Sequence, residues 1–248
     1  MNEHAGSPVV MNDTDTSDTD KPYIFGWTAH PDFEALKAAH ADDPPIGLTA
    51  AVLIDREGTL EVLGSGMVTI VDGRDNDAWA DAIRPETKLF FFETPANPTL
   101  DIVDLEAVCR IARQAGVVTV VDNAFATPLL QRPMDYGADV VAYSATKMMD
   151  GQGRVLAGAV CGSTQFIEEV LLPFQRNTGP TLSPFNAWVV LKGLETLDLR
   201  ARRQSENALA LGRFVETRVP RILHPGLPSH PRHGLAMRQM DACGPIFA

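Results

Sequence analysis

Val117-Val118-Thr119-Val120-Val121-Asp122 is the stretch on which the reading of this chain turns. Five consecutive β-branched residues favour extended backbone, and they are apolar toward both faces, as in a parallel strand covered by helices on each side. The run ends on a carboxylate. Upstream, Asp101 and Asp104 open a predicted helix whose apolar stripe is Leu105, Val108, Ala112 and Ala115. That spacing keeps to one helical face, and Gly116 supplies the stop. Before it lies Lys88-Leu89-Phe90-Phe91-Phe92-Glu93, a second apolar strand, followed by a loop over 94–99 with two prolines. A short helix over Ala78–Ile83 precedes that strand and is ended by Pro85. Downstream, Asp139–Tyr143 and Ala157–Cys161 read as two further strands. Strands alternating with helices at this spacing predict an α/β fold with a mostly parallel sheet.

The flanks are less regular. Asn12 to Asp20 is built from Asn, Asp, Thr and Ser, so residues 1–20 are expected to form a disordered tail. Between 21 and 74 a short helix is expected over Asp32–His40 and a strand over Leu48–Asp55. Gly58 then turns the chain into a strand over Thr59–Leu63. Toward the other end, Ser183-Pro184 forms an N-cap and first helical position, opening a helix with apolar residues Phe185, Trp188, Val189, Leu194 and Leu197. A second helix is expected over about Arg203 to Thr217, and a Pro-, Gly- and His-rich segment begins at His224.

Of the 248 residues, 45% are hydrophobic, enough for a sizeable core. The formal net charge of −11 argues against a nucleic-acid partner or an anionic membrane surface. No apolar run approaches the roughly 18 residues that span a bilayer. The first residues lack the charged-then-apolar order of a signal peptide, so a cytoplasmic location is expected. Cys109, Cys161 and Cys243 are far apart, with no CxxC pair, which leaves neither a disulfide framework nor a zinc site in prospect. Cys109 and Cys161 read as small core residues. His230 and His233 have a ligand-like spacing but lie in a Pro-rich segment, and no metal is expected there.

In an open parallel sheet, ligands sit beyond the carboxyl ends of the strands. Asn97 follows the first strand of the core, Asp122 ends the second, and Ser144-Ala145-Thr146-Lys147 follows the third. A lysine after a strand is ordinarily a solvated surface group, and an aspartate there ordinarily caps a helix. Together they make the set that pyridoxal 5′-phosphate requires. Lys147 supplies an amine for a Schiff base and then moves protons at the substrate carbon. Asp122 keeps the pyridine nitrogen protonated, while Ser144 and Thr146 donate to the phosphate. A glycine turn at Gly64-Ser65-Gly66-Met67 is the candidate for added backbone N–H donors. Spacing alone does not identify the cofactor.

From about Asp77 to Gln239 the chain resembles the trans-sulfuration, or Cys/Met-metabolism, family of pyridoxal phosphate enzymes. The resemblance is carried by Glu93-Thr94-Pro95-Ala96-Asn97-Pro98, Val121-Asp122-Asn123, Tyr143-Ser144-Ala145-Thr146-Lys147, Gly179 to Trp188, Gly193 to Leu197, and His224 to Pro231. Asp150-Gly151-Gln152-Gly153-Arg154 and Ser183 to Trp188 are most similar to the branch that exchanges the succinyl group of O-succinylhomoserine for sulfide, giving homocysteine. Synthesis or cleavage of cystathionine is the alternative within the same chemistry, and a non-catalytic remnant that folds or oligomerises is the alternative outside it. The resemblance implies an aspartate aminotransferase-like large domain and a cytoplasmic homotetramer of methionine biosynthesis. Its substrates are an activated homoserine ester and sulfide or a thiol. It assigns Lys147, Asp122, Ser144 and Thr146 the roles above, places Asn97 near the cofactor's 3′ oxygen, and gives Gly66 and Met67 to the phosphate turn.

The family pattern divides the chain into a tail over 1–20, a divergent segment over 21–74, a cofactor-binding core with its following helices over 75–220, and the start of a shortened C-terminal domain over 221–248. Family members have a longer stretch after the phosphate turn, including a tyrosine that stacks on the pyridine ring. They also carry an N-terminal Tyr-x-Arg segment and a later arginine for the substrate carboxylate. None of these is matched in this sequence, with the C-terminal domain largely missing, and weak cofactor binding with little turnover is expected.

Overall fold

The structure, a computed structural model, describes strands at 24–29, 49–52, 58–63 and 67–70 and the whole chain from 71 to 248, with side chains from Thr69 onward. The expected tail over 1–20, the helix over Asp32–His40 and the Gly64–Gly66 turn lie outside these residues. Strands β1 (Ile24–Ala29) and β3 (Gly58–Leu63) pair antiparallel as a two-stranded sheet. The remaining strands form one six-stranded sheet: β2 (Thr49–Val52), β4 (Met67–Ile70), β5 (Thr87–Glu93), β6 (Val118–Asp122), β7 (Val140–Ser144) and β8 (Gly158–Gly162). Their order is β4-β2-β5-β6-β7-β8, parallel throughout except for the antiparallel β7–β8 pair.

The helices begin where the sequence offers caps. Asp75 accepts from the Asp77 and Ala78 N–H groups and starts α1 (Asn76–Asp81), two residues before the expected start. Asp104 accepts from the Ala107 N–H at 3.0 Å and starts α2 (Leu105–Ala115). Asp101, expected at the same start, lies ahead of the helix and instead accepts from the Thr99 hydroxyl. Gly116 ends α2 at φ 69°, a left-handed conformation that a Cβ would disfavour. The short α3 (Thr127–Leu130) follows β6, and α4 (Leu172–Thr178) continues the helical turns begun at Thr164. Ser183 caps α5 (Pro184–Leu194) by accepting from the Asn186 N–H, as its sequence predicts. Helix α6 (Leu197–Glu216) begins six residues earlier than expected, and α7 (His233–Gln239) lies near the end.

The main core fills the space between the sheet and α1, α2 and α6. Trp79 on α1 is fully buried, with ring centroids 4.8 Å from Phe90 and 5.4 Å from Phe92 on β5. Around them pack Leu105, Val108, Cys109, Ala112, Val121, Val141 and Ala201. A smaller cluster joins Ile102 and Leu130 to Ala236 and Met240, so α7 seals the loops beyond β5 and β6.

Three expectations are corrected. Ala115 is exposed: the buried stripe of α2 is Leu105, Ala107, Val108, Cys109 and Ala112, and the helix lifts from the sheet as it reaches Gly116. Cys161 is exposed rather than core, because β8 is an edge strand and its apolar composition does not reveal that one side lacks cover. On α5 the large apolar residues Phe185 and Trp188 stand 68% and 54% exposed, while Val189 and Gly193 face inward. No helix among the described residues is long and apolar enough to cross a membrane.

Candidate active site

Strands β5, β6 and β7 are neighbours and parallel, so their carboxyl ends share one rim of the sheet. Glu93 pairs in register with Asp122, and Asp122 with Ala142. Backbone bonds continue past the strands, from Thr94 N–H to the Asp122 carbonyl and from Asn123 N–H to the Ala142 carbonyl. The loops that carry Asn97, Asp122 and Ser144 to Lys147 are thereby stitched together.

Asp122 is half-buried, and one of its oxygens accepts from the Ala124 N–H at 2.9 Å. Burial pushes its carboxyl above the ordinary range, while the Ala124 N–H and the Lys147 charge pull it back. The Lys147 ammonium lies 4.6 Å from the centre of the Phe125 ring, which comes from the loop after Asp122.

Lys147 itself sits in a tight five-residue turn, Ala145–Met149, and its backbone departs from helical geometry at φ −83° and ψ −107°. Ser144 precedes the turn and makes no capping bond with its hydroxyl. Thr146 is committed elsewhere: its hydroxyl accepts from the Ala157 N–H at 2.9 Å and faces the Ala157 carbonyl at 3.3 Å, tying the turn to the approach to β8. Beyond the turn, fully buried Asp150 accepts from the Arg154 N–H at 2.7 Å and from its Nε at 2.8 Å. Burial would raise the Asp150 carboxyl, but the bonds from Arg154 and Gln152 hold it below the usual range.

The expected site residues divide. Lys147, Asp122, Ser144 and Thr146 come together at the rim. Asn97 lies in the loop leaving β5 with its side chain exposed and its N–H bonded to Glu93. Met67 does not join them. It opens β4 at the amino end, and β2, β5 and β6 stand between β4 and β7. At about 4.8 Å per strand that separation is roughly 19 Å. Gly66 lies outside the described residues.

Phe125, Pro245, Ile246 and Phe247 were not singled out by sequence reasoning. With Lys147, Met148 and the α6 residues Gln204, Asn207, Ala208 and Leu211 they line a cleft of about 550 Å³. The last residues reach it because Leu223 and Ala248 exchange backbone hydrogen bonds. Only the fold brings these segments together; no local pattern announces it. Among the described residues no group of three or more His, Cys, Asp or Glu side chains could hold a metal ion.

A half-buried carboxylate and a solvent-reached lysine at adjacent strand ends, with a free hydroxyl beside them, are a donor set that suits an aldehyde cofactor with a ring nitrogen. The match to a family model settles which class this is. Residues 61–248 match the Cys/Met metabolism PLP-dependent enzymes, and the chain belongs to that family. It is 50% identical over 176 residues to O-succinylhomoserine sulfhydrylase of Pseudomonas aeruginosa, covering 70% of this chain and 43% of that protein. It is 42% identical over 180 residues to a probable cystathionine gamma-synthase of Herpetosiphon aurantiacus, covering 72% and 56%. The crystal structure of cystathionine gamma synthase from Xanthomonas oryzae pv. oryzae in complex with cystathionine superimposes with a TM-score of 0.76 at 33% identity, covering 90% of this chain and 60% of that one. The chain spans about half the length of the curated relatives it matches. Pyridoxal phosphate is the cofactor of the family, and the residues at the rim fit it: Asp122 keeps one oxygen free of backbone, and the Lys147 amine is exposed.

Proposed function

We propose that this chain contributes the cofactor site of an enzyme that exchanges the succinyl group of O-succinylhomoserine for sulfide, forming homocysteine. When bound, pyridoxal phosphate supplies an electron sink for the carbon from which a proton is removed. Lys147 would hold the cofactor through its amine and would move the proton at the substrate α-carbon. Asp122 would hold the ring nitrogen and keep its proton in place. Ser144 would offer its hydroxyl to the phosphate, and Thr146 would add its own on giving up its bond to Ala157. Asn97 would stand near the 3′ oxygen.

The observation that carries this reading is the rim itself: Asp122 and the Lys147 turn lie at the ends of neighbouring parallel strands, with the Lys147 ammonium over the Phe125 ring that follows Asp122, at the edge where such sheets bind ligands. The sulfhydrylase relative, half identical over most of the chain, supports sulfide as the incoming group. The likeness to cystathionine gamma-synthases supports a second reading, in which cysteine replaces sulfide.

The test begins with pyridoxal phosphate added to the purified chain, followed by borohydride reduction and peptide mapping. Lys147 is the expected and sole modified lysine; label on Lys192 or another lysine overturns the assignment. Supplying O-succinylhomoserine with sulfide or with cysteine then separates the two readings by product, homocysteine against cystathionine. Capture without either product would leave a cofactor-binding chain with no replacement activity of its own.

A further inference from the structure

Lys147 lies in a turn that its own backbone holds only in part: the Asp150 N–H donates to the Ala145 carbonyl at 2.9 Å and the Gly151 N–H to the Lys147 carbonyl at 2.7 Å. Ala145–Met149 is five residues long, with non-helical dihedrals at the lysine, and those backbone bonds serve the Ala145 and Lys147 carbonyls, not those of Met148 and Met149. Arg200, more than fifty residues later on α6, takes up both. Its Nη1 donates to the Met148 carbonyl at 2.9 Å and its Nη2 to the Met149 carbonyl at 3.3 Å. The same Nη2 donates to the Gly193 carbonyl at 2.7 Å, and Nε donates to the Thr196 hydroxyl at 2.9 Å. One planar guanidinium therefore fixes the lysine turn, the end of α5 and the start of α6 to one another.

The sequence leaves room for this arrangement at two glycines. A Cβ on Gly193 would stand 2.2 Å from the Met149 carbonyl oxygen, so α5 rests directly on the backbone of the turn. A Cβ on Gly151, already at φ +73°, would stand 1.9 Å from Arg200 Nη1. Both positions must lack a side chain for the guanidinium and the turn to meet. Each hydrogen bond named for Arg200 goes to a neutral oxygen, so the group acts through its fixed fork of donors on backbone carbonyls.

We infer that Arg200 is a positioning residue for the Lys147 amine, setting the turn from which that amine reaches the cofactor. The inference rests on the reading of Lys147 as the cofactor lysine. Arg200 bonds backbone carbonyls and the Thr196 hydroxyl, and it acts by holding the two carbonyls that follow the lysine. A lysine at position 200 would keep the charge but lose the fork, reaching at most one of the two carbonyls at a time.

The experiment uses the full chain and compares wild type, Arg200→Met, Arg200→Lys, Thr196→Val and the distant core variant Trp79→Phe. Three readouts are taken: the fraction of the Lys147 peptide labelled by pyridoxal phosphate and borohydride across pH, amide hydrogen exchange over 145–151, and the thermal midpoint. Arg200→Met is expected to lower labelling at limiting cofactor at least tenfold and to speed exchange in the turn. Arg200→Lys should fall between it and wild type. Trp79→Phe should lower the thermal midpoint while leaving the labelling profile of the folded protein in place. If Arg200→Met does not fold, Thr196→Val, which removes only the Nε anchor, should move labelling and exchange in the same direction. Wild-type labelling at Lys147 that neither Arg200 variant nor Thr196→Val alters overturns this inference and leaves the assignment of Lys147 standing. Wild-type labelling at a different lysine, or none, overturns both.

Discussion

Gln131 Nε2 donates a 2.9 Å hydrogen bond to Asn123 Oδ1, and this contact ties the residue beside Asp122 to a helix from the far end of the chain. Asn123 in turn donates to the Thr127 and Gln131 carbonyls at 3.1 and 2.8 Å. Gln131 Nε2 also reaches the Thr94 carbonyl at 2.7 Å, and its Oε1 accepts from Gln239 of α7 at 3.2 Å. Gln239 closes the chain on the Val103 carbonyl at 3.0 Å. All three amides are buried, so each bond forms where water cannot replace it.

Gln131→Leu keeps the volume of that side chain and removes its hydrogen bonds, leaving Asn123 Oδ1, the Thr94 carbonyl and Gln239 underpaired. The expected cost is about 2–4 kcal/mol, since an abandoned buried polar group costs ~1–3 kcal/mol. Denaturant unfolding of the apo chain measures it. A loss below about 0.5 kcal/mol, the range of ordinary surface changes, would mean that water or a shifted loop satisfies the network.

Asp122→Asn should separate stability from cofactor binding. The folded carboxyl titrates above its unfolded value, chiefly through burial. The folded chain therefore binds that proton more tightly than the unfolded chain does. This favours folding while the group is protonated, and the gain is lost as pH rises through the folded value. At neutral pH the ionised, half-buried carboxylate is a cost that an amide avoids. Apo Asp122→Asn is expected to melt no lower than wild type at pH 7.5, with its relative advantage shrinking toward pH 4. Cofactor titration should weaken at least tenfold, because an amide cannot hold a proton on the ring nitrogen. Parallel losses in melting and titration would remove the proposed role of Asp122.

Trp79 ties α1 to β5 through ring contacts with both Phe90 and Phe92. Trp79→Ala should cost ~3–5 kcal/mol, the range for emptying a buried large aromatic site. A calorimetric loss under about 1 kcal/mol, typical of partly exposed positions, would show that the neighbouring rings collapse into the space.

The parts of this molecule that were legible in its sequence are those set by local chemistry. Asp104 and Gly116 bracket α2 because a carboxylate cap and a left-handed stop act within one turn of the helix. The runs at 88–93, 117–121 and 139–143 read as strands from their own apolar residues, and their shared rim followed from the rule for parallel sheets. The remainder depends on partners distant in sequence. Nothing near Cys161 marks β8 as antiparallel or as an edge, and nothing near Met67 reveals that β4 lies across the sheet from β7. The amide network joins positions 94, 123, 131 and 239, a set without periodicity.

The last prediction concerns acid. His224 and His230 are buried in the segment that runs from α6 to α7, and both use the same arrangement. His224 Nδ1 accepts from the Gly226 N–H at 3.0 Å while its Nε2 lies 3.3 Å from the Gly244 carbonyl. His230 Nδ1 accepts from the Arg232 N–H at 3.1 Å. Protonating either ring at Nδ1 destroys the acceptor that holds a turn. Burial lowers both imidazoles below their ordinary value; the Gly244 carbonyl opposes this at His224, and Asp101 with Leu100 opposes it at His230. The unfolded chain thus binds protons first as pH falls. Stability from these groups is present above the unfolded value of about 6.5 and is lost as pH drops below it toward the folded values. Melting followed from pH 8 to pH 5 should therefore decline below about 6.5. Hydrogen exchange should show the 221–248 segment loosening before the sheet, since its turns are the ones that lose acceptors. In His224→Gln the acid-sensitive decline should shrink, because a glutamine carries no titrating proton. An unchanged pH profile in that variant would assign the acid loss to other groups.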